Sequence, residues 1–224
     1  MKGLKVIVTG ATGMVGEGVV HECLQHPDVE KVLIINRKPS GMIHPKLTEI
    51  IQGNFYDIMP TQSQLSGYTT CFFCLGVSSV GMNEEEYSKV TYTLTMHVAE
   101  TLSKLNTHMT FCYISGAGTD GSEKGRSMWA RVKGKTENDL RKLPFKQAIA
   151  FRPGFIRPIP GLVRTNTYYK YISWLFPIGR LLYPAGFCTL PELAHALIRV
   201  AKAGSDKAVV EGKDIIRLAE QEGA

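Results

Sequence analysis

No apolar run in this 224-residue chain is long enough to cross a bilayer. About 20 residues are needed for that, and the longest apolar piece of the irregular C-terminal part, residues 172–179, is interrupted by Pro177. There is no low-complexity tract and no internal repeat, which sets aside disordered linkers and repeat architectures. There is no block of Lys and Arg either. The net charge of +6 is dispersed, so nucleic acid is not an expected partner, whereas an anionic cofactor would suit the surplus. The six histidines lack metal-ligand spacing, and no metal is expected. The five cysteines, at 23, 71, 74, 112 and 188, are odd in number and scattered, which is no disulfide framework. The N-terminus MKGLKVIVTG lacks the longer apolar stretch and small-residue cleavage site of a signal peptide. Together these give the expectation of a reducing, cytoplasmic setting. The C-x-x-C of Cys71 and Cys74 lies in the apolar run 70–75. Residues three apart on a strand face opposite sides, so both read as core cysteines rather than a redox or zinc pair.

Short apolar runs alternate with helical stretches along most of the chain. Residues 4–9, 31–36, 47–51, 69–75, 109–115 and 147–151 read as strands, several nearly continuous in apolar residues, as parallel strands covered on both faces are. Helices are expected at about 14–26, 83–106 and 125–142. The second opens on Asn83 with Glu86 three residues on, a capping-box start. This order predicts an α/β fold with a doubly wound parallel sheet (a Rossmann fold) in one domain over 1–224. From Arg152 to about residue 190 the chain is rich in Pro, Gly and aromatics, giving a small irregular C-terminal substrate region. A substrate-covering lid is the favoured reading of 152–190; an oligomer contact and peripheral membrane attachment stay open. A helix returns at 190–203, announced by Thr189-x-x-Glu192 and closed by Gly204.

The sharpest motif is Gly10-Ala11-Thr12-Gly13-Met14-Val15-Gly16, directly after a strand and opening a helix. Gly10 permits a tight turn, Gly13 lets backbone approach a pyrophosphate, and Gly16 lets the helix lie close to the sheet. The helix N-terminus then offers free N–H groups to phosphate. An NAD-specific site would carry Asp or Glu about 20 residues on, at the end of the second strand. Here Ile35-Asn36-Arg37-Lys38 has no acid, and Arg37 and Lys38 suit the 2′-phosphate of NADP. Asp57, after the third strand, is expected near the adenine amino group. Leu75 and Gly76, ending the fourth, would leave room for the adenosine ribose.

These elements, with Ile114-Ser115-Gly116-Ala117, Val132-Lys133-Gly134-Lys135-Thr136-Glu137 and Phe151-Arg152-Pro153-Gly154, resemble the atypical short-chain dehydrogenase/reductase superfamily over about residues 4–156. The CLG, VKG-x-x-E and FRPG pieces are similar to its Tip30-like oxidoreductase group. The resemblance implies that a Ser, a Tyr and a Lys do the chemistry, the Tyr four residues before the Lys. Ser115 and Lys133 match as catalytic residues, Lys133 also as a ligand of the nicotinamide ribose, and Pro153 would lie on the nicotinamide side. The Tyr position holds Trp129, whose indole N–H donates a hydrogen bond but does not serve as an acid or base near neutral pH.

Three activities follow from that departure. The protein reduces a carbonyl with water, Tyr87 or Tyr113 supplying the proton; or it binds NADP(H) without turnover, as a sensor or regulator; or it acts on a nucleotide-linked or quinone-like substrate that needs less proton help. The leading expectation is an NADP-dependent oxidoreductase with a small-molecule substrate. Ser115 lacks the glycine of a nucleophile elbow and no acid pair stands out, which disfavours hydrolase and glycosidase chemistry. A homodimer through helices 83–106 and 125–142 is possible by family analogy.

Overall fold

The structure, a computed structural model, describes residues 3–163 and 176–222, without side-chain detail at 59–61 and 222. Seven parallel strands form one sheet in the order β3-β2-β1-β4-β5-β6-β9. They are β1 (Leu4–Thr9), β2 (Val29–Asn36), β3 (Leu47–Ile51), β4 (Thr70–Phe73), β5 (Thr110–Ile114), β6 (Gln147–Arg152) and β9 (Val209–Glu211). The chain reverses direction of travel between β3 and β4, so β1 and β4 are neighbours and the cleft opens at their C-terminal ends, as in other doubly wound sheets.

The apolar runs are continuous because both sheet faces are covered. Val6, Val8, Ile34, Phe72 and Phe151 belong to one core, under the helices α1 (Met14–Gln25) and α6 (Leu190–Ala203). Ile7, Leu33, Ile35, Phe73, Phe111 and Tyr113 belong to the other, with Val98, Ala99 and Leu102 of α3 (Leu94–Leu105) and Leu140 of α4 (Met128–Leu140). Neighbouring residues of one strand thus feed opposite cores, as a period of two demands. Cys71 lies in the second core while Cys74 packs against the first, and all five cysteines are free thiols. The C-x-x-C is a pair of core residues.

The helix expected over 83–106 is divided. Its capping box forms, Asn83 accepting from the Glu86 amide and Glu86 from the Asn83 amide. After α2 (Glu84–Ser88), a π turn at Lys89–Thr93 precedes α3. The carbonyl of Lys89 receives the amide of Leu94, five residues on, and also the hydroxyl of Tyr56 at 2.6 Å. Such single π turns are found mostly where a helix lines a site, and Val90 and Leu94 do line the cleft.

The C-terminal part is more regular than its composition suggests. Strands β7 (Phe155–Arg157) and β8 (Phe187–Thr189) pair in parallel, and α5 (Phe176–Leu182) lies beside them. Phe155, Phe176 and Phe187 meet with ring centroids 5.7 to 6.2 Å apart, while Arg180 grips Glu192 by two bonds of 2.6 Å. The Thr189–Glu192 capping box opens α6 where the sequence places it, and Gly204 closes it. Beyond it, β9 adds a seventh strand and α7 (Lys213–Glu222) packs on α6. Residues 164–175 of the expected covering segment lie outside the described residues. Among the described residues, no helix is long and apolar enough to cross a membrane.

Candidate dinucleotide cleft and active site

The glycine loop is shaped by two close approaches. Gly10 has φ +72°, and a side chain there would also stand 2.8 Å from the backbone of Cys74 at the end of β4. A Cβ on Gly16 would lie 2.1 Å from the Gly10 carbonyl oxygen; only glycine lets α1 start this close to the turn. Gly13 is the N-cap of α1 and has no side chain to offer the first amides. Its own amide donates to Gly10 O at 2.9 Å, and the Glu17 amide returns to Gly13 O at 2.9 Å. The amides of Met14, Val15 and Gly16 fall in the helix's first turn, where no intrahelical acceptor exists. Uncapped amides at a helix start favour an anion. Glu17, the acid of that turn, is buried and accepts from the Val163 amide at 3.1 Å.

A cleft of about 410 Å³ lies over this loop. Gly10, Thr12 and Gly13 form its floor, with Ile35, Asn36 and Arg37 from β2, Cys74 to Val77 after β4, and Val90 and Leu94 from the helix wall. Its remaining wall is Gly53, Asn54, Phe55 and Tyr56. Asp57 is exposed and stands one residue past that wall, and Lys38 is exposed next to Arg37. Ala11 is fully buried beneath the loop. Leu75 and Gly76 are in the lining.

At the end of β2, Asn36 is buried and donates its amide to Glu49 Oε1 at 2.8 Å. Among the described residues its own Oδ1 is buried without a partner, and the residue faces the cleft. A buried acceptor left unpaired is costly unless a ligand meets it. With the uncapped turn, the two glycine approaches and Arg37 at the rim, the residues present fit a dinucleotide. Asn36 and the wall residues Val90 and Leu94 were not singled out by the sequence; it pointed to the turn after the third strand through Asp57, whereas Asn54, Phe55 and Tyr56 are the residues in the lining.

The proposed chemistry residues are not in the lining of this cleft; Ser115 and Pro153 follow β5 and β6, the next strands of the sheet, and Trp129 and Lys133 are on α4. Ser115 follows β5, 8% exposed, and its hydroxyl donates to the Phe151 carbonyl at 3.2 Å. Lys133, on the second turn of α4 and half-buried, donates from Nζ to the Ser115 carbonyl. Burial pushes the Lys133 ammonium down to about 8, against the Glu137 carboxylate, which raises it. Trp129 precedes it by one turn, its ring edge 3.5 Å from the Cβ position of Gly118. Tyr113 and Tyr87 are both buried, and burial raises both phenols. Pro153 is buried and its carbonyl accepts from the Ala117 amide at 2.8 Å. The last residue of the VKG-x-x-E element and the Arg of FRPG bind each other. Arg152 meets Glu137 through Nε–Oε1 at 3.0 Å and Nη2–Oε2 at 2.7 Å, tying α4 to β6.

The profile of the NAD dependent epimerase/dehydratase family matches residues 6–139. The protein named fmp52, mitochondrial, of Aspergillus clavatus is 30% identical, covering 95% of this chain and 97% of its own length. FMP52, mitochondrial, of Eremothecium gossypii is 26% identical over 98% and 99%. Among solved structures, a short chain dehydrogenase from Burkholderia cenocepacia in complex with NADP superposes with a TM-score of 0.67 at 14% identity, covering 100% of this chain and 94% of the other. Uronate dehydrogenase from Agrobacterium tumefaciens gives 0.69 at 16% identity, over 95% and 77%. At such identity the superpositions speak for the fold alone. The relatives' names correct the expectation of a cytoplasmic setting, since they are those of mitochondrial proteins. Free cysteines argue for a reducing compartment but do not choose among such compartments.

Proposed function

From the membership of this chain in the NAD dependent epimerase/dehydratase family, we propose that it is an NADP(H)-dependent oxidoreductase of short-chain type. It passes hydride between NADPH and a small carbonyl or quinone-like molecule. The observation that carries the choice of NADP is the end of β2. Arg37 lines the cleft there, and the position that would hold an acid for a ribose 2′-hydroxyl holds Asn36, its amide turned to Glu49. A guanidinium at the rim, with no carboxylate beside it among the described residues of the lining, favours a 2′-phosphate. The pyrophosphate would lie on the amides of Gly13 to Gly16 and on Thr12, and Lys133 would hold the nicotinamide ribose. The reduced cofactor supplies hydride when bound; the protein supplies orientation, water exclusion and a proton. The relatives' names favour a mitochondrial setting.

A second reading is a non-catalytic NADP(H)-binding sensor. Trp129 in place of a tyrosine favours it, because an indole moves no proton near neutral pH.

Calorimetric titration of cofactor-stripped protein with NADPH and with NADH tests the proposal. NADPH should bind more tightly, and Arg37→Ala should weaken it by roughly 10- to 150-fold, the value of about 1.5–3 kcal/mol for a charged hydrogen-bonded contact, with NADH little changed. Tighter binding of NADH would refute the role of Arg37. Binding of neither would end both readings.

A further inference from the structure

A carbonyl that receives hydride at carbon must receive a proton at oxygen. The side chains around Ser115 and the start of α4 can be taken in turn as its source. Trp129 has no exchangeable proton of use. The Ser115 hydroxyl is directed to the Phe151 carbonyl. Tyr113 points into the core with Phe73 and Phe111, and Tyr87 is 1% exposed. Glu137 is fully enclosed and held by Arg152. What remains is the half-buried ammonium of Lys133, one of whose protons is on the Ser115 carbonyl.

We propose that Lys133 is itself the acid of this site, handing a proton from its ammonium to the oxygen of a bound carbonyl. As hydride from the reduced nicotinamide bonds to the carbonyl carbon, the C=O π pair moves to oxygen and forms the new O–H bond. One Lys133 N–H bond breaks and leaves a neutral amine, which regains its proton from water. The carbonyl is reduced to the alcohol and the nicotinamide oxidised. This rests on the reading of the protein as an NADPH-dependent reductase.

The surroundings favour such a role. Among the described residues, the groups facing Lys133 are Glu137 on its own helix, the Ser115 carbonyl just after β5, and the Tyr113 ring of β5, whose centroid is 6.0 Å from Nζ. Burial outweighs the Glu137 carboxylate and brings the ammonium to about 8. An acid works best when its pKa lies near the working pH. The tyrosine found at position 129 in the resembling enzymes is replaced by a residue that cannot do this work, and the lysine takes it over.

Two measurements on the full chain test the proposal. Competitive labelling of wild type with acetic anhydride, read by mass spectrometry across pH, should give Lys133 an apparent pKa near 8; an ordinary value of about 10.4 overturns the proposal without any turnover assay. Single-turnover oxidation of bound NADPH is then followed with 4-nitrobenzaldehyde and with 9,10-phenanthrenequinone. The aldehyde rate should be flat below about pH 7 and fall about tenfold per unit above about pH 9, because the acid must be protonated. Lys133→Arg keeps the charge but releases no proton in this range; it should bind NADPH yet reduce the aldehyde about 10²-fold more slowly, and Lys133→Met should do no better. An aldehyde rate independent of pH through this range, or retained in Lys133→Arg, overturns the proposal and leaves the reductase reading standing. NADPH that binds but is oxidised by neither probe overturns both.

Discussion

Replacing Arg152 by methionine should unfold the protein early, for a reason the pair geometry makes quantitative. The Glu137 side chain is 0% exposed and that of Arg152 is 15% exposed, and their contact is two-pronged at 3.0 and 2.7 Å. Removing one partner of a buried pair leaves the other charge enclosed, at about 3–5 kcal/mol. Arg141, 3.6 Å from Glu137 and partly solvent-facing, offsets some of this, so about 3 kcal/mol is the working figure. In a chain of this size each kcal/mol lowers Tm by about 2–4 °C, which gives a fall of roughly 6–12 °C by circular dichroism or scanning calorimetry. The double variant Glu137→Leu with Arg152→Met removes both charges and fills the space with apolar atoms, and it should recover to within about 1 kcal/mol of wild type. A single variant that melts within about 2 °C of wild type would show that the VKG-x-x-E and FRPG elements are not joined in this way. A double variant as unstable as the single one would put the loss down to packing instead of charge.

Two further outcomes follow from the cleft. Gly16→Ala forces a methyl to 2.1 Å from the Gly10 carbonyl, so Tm should fall by the equivalent of about 1–3 kcal/mol and NADPH binding should weaken with it; an unchanged titration would mean the loop tolerates a shifted helix start. Tyr56→Phe removes the 2.6 Å bond to the Lys89 carbonyl at the π turn, and NADPH should bind about fivefold more weakly, the share of about 1 kcal/mol for one hydrogen bond. Equal affinity for the two forms would mean that this bond does not hold the cleft wall.

The sequence alone determined the parts whose signals are local. β1, the glycine turn and α1 adjoin in the chain, and each glycine's task is set by its immediate neighbours. The bounds of β3 and α6 coincide with their apolar patterns because turn residues and, for α6, a capping box with a closing glycine mark the ends. Parallel strands buried on both faces announce themselves by unbroken apolar runs, so the fold class was legible. β7, β8 and β9, of three residues each, are too short for any period to show. One π turn shifts a helix by a single residue, which an apolar periodicity over 83–106 does not register.

Only the tertiary structure decided which side chains meet. Asn54, Phe55 and Tyr56 face the cleft while Asp57 stands past them, and Tyr56 bonds to the π turn, 33 residues away. The Glu137–Arg152 pair joins a helix to a strand across 15 residues. Tyr113 and Tyr87, either of which could have carried a proton as far as the sequence tells, are removed from the site by burial, and the same burial brings the Lys133 ammonium to about 8. Desolvation depends on everything that surrounds a group in space, and a linear pattern records only what adjoins it along the chain.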